Sequence, residues 1–275
     1  MVYGLIGNTS RSYGLLTRRT KLRHAIIPDV QAKPNVPLDH LDWCGKWLAD
    51  KKPDVIVCLG DFADMESLSS YDVGKKSFEG RRYTKDIEVA RRAMDILMAP
   101  ILEEQEKIRR HKSRMWRPRL VLTLGNHETR INKAVDNDSK LEGLIKISDL
   151  GYDRYGWEIY PYLQVIVIDG ICYSHYFTSG ILGRPVTSAR MLLQKHHMSC
   201  IAGHQQGRDI AYGKRADGSS MTSIISGSFY QHDEAYLNAQ TNEHWHGCWM
   251  LNEVNNGSFD EMPLSLNYLK RKYGG

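Results

Sequence analysis

Five times along this chain a short run of β-branched and apolar residues stops at an acidic, amide or imidazole side chain. Leu22–Ile27 leads to Asp29, and Val55–Leu59 leads to Gly60-Asp61 and Asp64. Leu120–Leu124 leads to Gly125-Asn126-His127-Glu128, Ile171–Tyr173 to His175, and Cys200–Ala202 to Gly203-His204. Such short, uniformly apolar runs are typical of parallel strands covered on both faces. In open α/β sheets, ligands bind beyond the carboxyl ends of the strands. Polar clusters at five strand ends therefore converge in space. A glycine before Asp61, Asn126 and His204 lets the backbone turn tightly and approach a ligand. The expected fold class is α/β, with one site at the C-terminal ends of its strands.

The text between the strands agrees with that class. Val36–Asp50 has apolar residues at helical spacing and ends before Lys52-Pro53. Thr84–Lys112 is rich in helix formers, and Pro100 is expected to kink or divide it. After residue 150 the pattern turns to short strands, in WEIYPYLQVIVIDGICYSHY, SCIAGH, MTSIISGSF and CWMLNEVNNGSFDEMPLSLNYL. MLLQKHH reads as a helix end, and Asn-Asn-Gly as a hairpin turn. Residues 1–21 have no clear period and read as an N-terminal arm. Residues 22–275 read as one domain with a helical insertion at about 66–118.

Composition narrows the setting more than the activity. The five cysteines are odd in number and form no CxxC, so they read as reduced, mostly buried thiols. No apolar stretch reaches the roughly 18 residues of a membrane span, and the start lacks the order of a signal peptide. A cytoplasmic location is expected. The net charge of +5 suits a polyanionic partner without requiring one.

Taken in order, the strings PDVQ, GDFAD, GNHE, SH and GHQQ resemble the motifs of the calcineurin-like metallophosphoesterases. Those motifs are written DxH, GDxxD, GNH[ED], H and GHxH. The resemblance covers residues 25–206, about two thirds of the chain. The stretch SSYDVGKKSFEGRRYTKDIE resembles phage- and prophage-encoded members, which would make the location a host cytoplasm. The family's fold is a sandwich of two mixed β-sheets flanked by helices. The resemblance implies two divalent metal ions. Asp61 would bridge them, Asn126, His175 and His204 would complete one site, and Asp29 would serve the other. His127 would be a general acid oriented by Asp64, and the nucleophile a hydroxide bridging the metals.

Two positions depart from the family pattern. Gln31 stands for the DxH histidine and Gln206 for the second histidine of GHxH. Both belong to the same metal site. If they are ligands, their carbonyl oxygens favour hard ions, with Mn²⁺ expected first and Mg²⁺, Ca²⁺, Fe²⁺ or Zn²⁺ as alternatives. If they are not, they are ordinary solvent-facing polar residues.

Other residues are candidates for substrate contact: Arg81 and Arg82 in the insertion, Arg184 in the Gly-rich SGILGRP loop, and His246 beside Trp245 and His244. The run from Arg109 to Arg119 holds six Lys or Arg in eleven residues around Trp116. It could bind nucleic acid, with Trp116 stacking on a base, or be a solvated helix end. The leading expectation is a phosphodiesterase or nuclease acting on a phosphodiester, DNA and RNA included. The alternatives are a small-molecule phosphomonoesterase and a catalytically weak binding protein on the same fold. Met65, where protein phosphatases of this class carry arginine after GDxxD, argues against a protein phosphatase.

Overall fold

The computed structural model describes residues 21–70, 74, 76–232 and 244–275. The arm expected over 1–21 therefore lies, apart from Lys21, outside the described residues.

The first sheet has six strands: β1 (Leu22–Ile27), β2 (Val55–Cys58), β3 (Arg119–Thr123), β4 (Glu158–Tyr160), β12 (Gly247–Asn255) and β13 (Ser258–Ser265). Their order is β13-β12-β1-β2-β3-β4. β1 to β4 run parallel, while β12 pairs antiparallel with both β1 and β13. The second sheet takes β5 (Ile166–Ile168), β6 (Ile171–Ser174), β9 (Ser199–Ala202), β10 (Arg208–Lys214) and β11 (Ser220–Ser226), in the order β10-β11-β9-β6-β5. A two-stranded hairpin, β7 (Thr178–Ser179) with β8 (Arg184–Pro185), stands apart. The α-helices are α1 (Asp39–Lys51), α2 (Tyr83–Arg110), α3 (Arg130–Asn137), α4 (Ala189–His196) and α5 (Leu266–Tyr273).

Three apolar clusters explain the layering. One joins Ile26, Val57, Val121 and Trp249 of the first sheet to Tyr173, Ile201 and Ile224 of the second, so the two sheets face each other. A larger one packs the outer face of the first sheet against α1, α2 and α5, with Leu41, Trp47, Leu97 and Leu269 at its centre. The third lays α4 on the outer face of the second sheet. The result is an α/β sandwich of two mixed sheets with helices outside. All five cysteines are buried and free. No helix among the described residues is long and apolar enough to cross a membrane.

At the end of the sandwich away from the strand C-termini, two hairpin turns interlock. Gly257 donates its N–H to the Asp169 carbonyl at 2.8 Å. Any side chain on Gly170 would collide with the Asn256–Gly257 backbone.

Several expectations need correction. Pro100 neither divides nor ends α2, which runs on to Arg110. The proline is buried against Gly45 of α1, where a Cβ would overlap the Leu97 carbonyl and touch the proline ring. Packing between the two helices offsets the one hydrogen bond the proline cannot make. The segment LSLNYL is not strand to its end. Ser265 caps α5 by accepting the Tyr268 N–H on its hydroxyl, and the chain turns helical there. The basic run sits around the start of β3, at the end of the sheet away from the strand C-termini. Arg109 and Arg110 both pair with Glu106, and Arg119 pairs with Glu158. Trp116 donates its indole N–H to the Pro53 carbonyl at 2.7 Å and packs against the main core.

Candidate metal centre

Each expected strand-end residue lies just beyond its strand, and the ends of β1, β2, β3, β6 and β9 meet. Asp61, His175 and His204 present donor atoms that all lie within 4.8 Å of one another. The Asp61 carboxylate is the hub. Its Oδ2 is 3.3 Å from His175 Nε2 and 3.7 Å from His127 Nε2, and its Oδ1 accepts the His127 backbone N–H at 2.8 Å. Asn126 Oδ1 is 2.9 Å from His175 Nε2. Asp29 is fully buried and accepts the His204 backbone N–H on both oxygens, at 3.0 and 3.1 Å.

The donor set fits a divalent cation on three grounds. His175 donates Nδ1–H to the Leu59 carbonyl at 2.7 Å, which fixes the ring and turns Nε2 to the centre, the usual orientation of a ligating imidazole. Gly125 and Gly203 leave the space that Asp61 and Asp29 fill, since a Cβ at either would run into the carboxylate. Asp61, Gln31, His204 and Gln206 all hold left-handed backbone, with φ of 48°, 46°, 67° and 58°. Such strain in non-glycine residues gathers where the surrounding fold over-determines a functional geometry.

Gln31 and Gln206 flank this group. Gln31 is buried, and its backbone N–H donates to the Asp61 backbone carbonyl at 2.7 Å. Gln206 Oε1 accepts the Tyr230 hydroxyl at 2.6 Å, and that hydroxyl lies 3.2 Å from His244 Nδ1. His246 packs its ring edge-on against Tyr230 at 4.6 Å and bonds Ser228. His246 thus borders Gln206 at one remove. The other substrate candidates are not drawn into the centre. Arg81 bonds the Glu66 carbonyl, Arg82 bonds the Arg81 carbonyl, and Arg184 is exposed in β8.

Asp64 holds His127 by accepting from its Nδ1 at 2.9 Å. Two cations missed in the sequence share that carboxylate: Lys33 at 3.3 Å and Arg130 at 3.0 Å. Arg130 also reaches 3.3 Å from His127 Nε2. Its place two residues after GNHE, at the start of α3, was the available signal. Glu128 is the other residue whose part was not foreseen. Its buried carboxylate accepts the backbone N–H groups of Asp61, Phe62, Ala63 and Gly125 at 2.7–3.1 Å, joining two of the site's loops.

Electrostatics follow from burial and crowding. Burial, helped by Asp61, pushes the Asp29 carboxyl up to about 7, against the pull of His175. Burial opposes charging His175, yet Asp61 and its hydrogen bond raise that imidazole to about 9. Burial and the His175 charge lower His204 to about 4. Burial works against ionised Asp61 and Asp64, but the neighbouring histidines win and hold both well below the usual carboxylate range.

These directions set the sign of a metal-binding experiment. A cation held by Asp29 and His175 would need the first ionised and the second bare at Nε2, so protons would leave where the pH is below about 7 and about 9 respectively. Saturating the protein with Mn²⁺ should release close to two protons at pH 6 and close to one at pH 8. Calorimetric titration in buffers of different ionisation enthalpy reads this number. Zero release at both pH values would contradict the ligand assignment.

No protein-family model matches the chain, and no curated protein matches it.

Proposed function

We propose that this chain is a two-metal phosphoesterase with the calcineurin-like metallophosphoesterase fold, and that it cleaves phosphodiesters. The observation that carries the reading is the meeting of Asp29, Asp61, Asn126, His127, His175 and His204 at five strand ends, with His127 backed by Asp64. Asp61, Asn126, His175 and His204 would hold one cation. Asp61, Asp29, Gln31 and Gln206 would hold the other, a more oxygen-rich set that suits Mn²⁺ or Mg²⁺ better than Zn²⁺. When bound, the ions supply charge neutralisation for the phosphate and a water activated as nucleophile.

The chain's own residues supply the rest. Asn126 offers an amide at the phosphate. His127 can donate from Nε2 to the leaving oxygen while Asp64 holds Nδ1–H. Burial opposes the imidazolium, but Asp61 and Asp64 outweigh it and raise the His127 pKa, as a general acid requires. Lys33 and Arg130 crowd the Asp64 carboxylate together with His127, a positive surround that suits an anionic phosphate ester.

With Mn²⁺, bis-p-nitrophenyl phosphate should be hydrolysed faster than p-nitrophenyl phosphate, and EDTA should stop both reactions. A preference for the monoester would favour the phosphomonoesterase alternative, and no metal-dependent turnover of either would favour the binding protein. His127→Ala should keep its metal and lose about 10²–10⁴-fold in rate on a dinucleotide, whose alkoxide leaving group needs a proton. The loss should shrink when p-nitrophenolate leaves. Equal losses on both substrates would remove His127 from that role.

A further inference from the structure

We infer that Tyr162 and Tyr176 form an aromatic wall beside the metal centre that stacks the base of a nucleotide, making the substrate a nucleotidyl phosphodiester. The inference rests on the phosphodiesterase reading above. Tyr162 follows β4, at the edge of the first sheet. Tyr176 follows His175 at the end of β6 in the second sheet. The two rings meet edge to face, 5.7 Å apart at 83°, with their hydroxyls 2.9 Å apart. Tyr162 rests on the main core and backs the pair. Tyr176 belongs to none of the apolar clusters. Its ring lies 4.8 Å from His204 and 5.9 Å from His175, so two candidate metal ligands flank it. Both tyrosines are half-buried.

Two features hold the wall in place. Buried Ser174 donates its hydroxyl to the Tyr176 carbonyl at 2.9 Å. Tyr162 sits in a turn closed by Gln164 N–H on the Pro161 carbonyl at 3.1 Å, and the next residue, Leu163, has a φ of 65°. A branched residue in left-handed backbone is strained, and here the strained turn presents the Tyr162 ring. A flat ring next to a phosphate site suits a base, because every base has a π-face and stacking tolerates any sequence. A simple alkyl ester would gain little from it.

The test compares thymidine 5′-(p-nitrophenyl phosphate) with methyl p-nitrophenyl phosphate, which share a leaving group. The parent protein with Mn²⁺ should show a KM at least about tenfold lower for the nucleotidyl ester. Tyr176→Leu should raise the KM of the nucleotidyl ester about tenfold more than that of the methyl ester, while Tyr176→Phe keeps the parent values. Equal KM for the two esters in the parent, or equal losses on both in Tyr176→Leu, would overturn the wall. If neither ester is hydrolysed, the phosphodiesterase reading fails and calorimetric binding of thymidine 5′-monophosphate still decides the wall. Binding weakened about tenfold in Tyr176→Leu supports it, whereas equal binding or none overturns it.

Discussion

Asp61→Asn should bring hydrolysis down to background and abolish Mn²⁺ binding at both sites. The substitution is close to isosteric and keeps an acceptor for the His127 N–H, so the loops should stay in place. What it removes is the one charge shared by His175 and His127, at 3.3 and 3.7 Å, and by both cations of the proposed centre. Burial in a low-dielectric site makes that charge worth far more than a surface carboxylate. The variant should also lower the His175 pKa from about 9, because Asp61 is the strongest influence raising it. Calorimetric Mn²⁺ titration is the decisive measurement. Two sites of parental affinity would show that Asp61 does not bridge.

Glu128→Ala should cost about 3–5 kcal/mol of stability. The variant leaves four backbone N–H groups without their acceptor in a dry interior, at roughly 1–3 kcal/mol for each group, less than additively. The Tyr152 hydroxyl, 3.4 Å from the same carboxylate, loses a partner as well. Glu128→Gln should fall between parent and Ala, since one oxygen still accepts while the amide NH₂ faces other donors. Guanidinium unfolding monitored by tryptophan fluorescence reads the difference. A loss under about 0.5 kcal/mol in Glu128→Ala would mean that other groups satisfy those N–H donors.

The ligand loops were legible because strand and ligand share one short string. In Val-Ile-Val-Cys-Leu-Gly-Asp the apolar run, the turn glycine and the carboxylate are adjacent, so local pattern alone fixes their relation. Glu128 was visible as a letter of GNHE, but its role was not. Three of its four backbone N–H partners lie more than sixty positions away and leave no mark in the sequence. Tyr230 and Tyr162 were hidden for a similar reason, as each meets the site only through tertiary contact. Helix α5 was misread because Leu264, Leu266 and the residues after them mimic strand alternation, although Ser265 three positions before Tyr268 was a readable cap. Pro100 misled because local propensity yields to the packing of α2 on Gly45.

The pairing of β1 with β12 has a consequence for the chain during its synthesis. Leu22 is matched with Val254, roughly 230 residues further along, which at about 5–20 residues per second is some 10–50 s of translation. Through that interval one edge of a central strand is without its neighbour, a state that invites pairing with other chains. β12 also brings Trp249, whose indole N–H donates to the Ser226 carbonyl at 2.9 Å and fastens the first sheet to the second. The candidate ligands, all emerged by then, wait on two sheets that Trp249 has not yet fastened. At the proposed centre, metal capture should follow the arrival of β12, and a nascent chain paused before it should fail to retain Mn²⁺ although every candidate ligand has already been made.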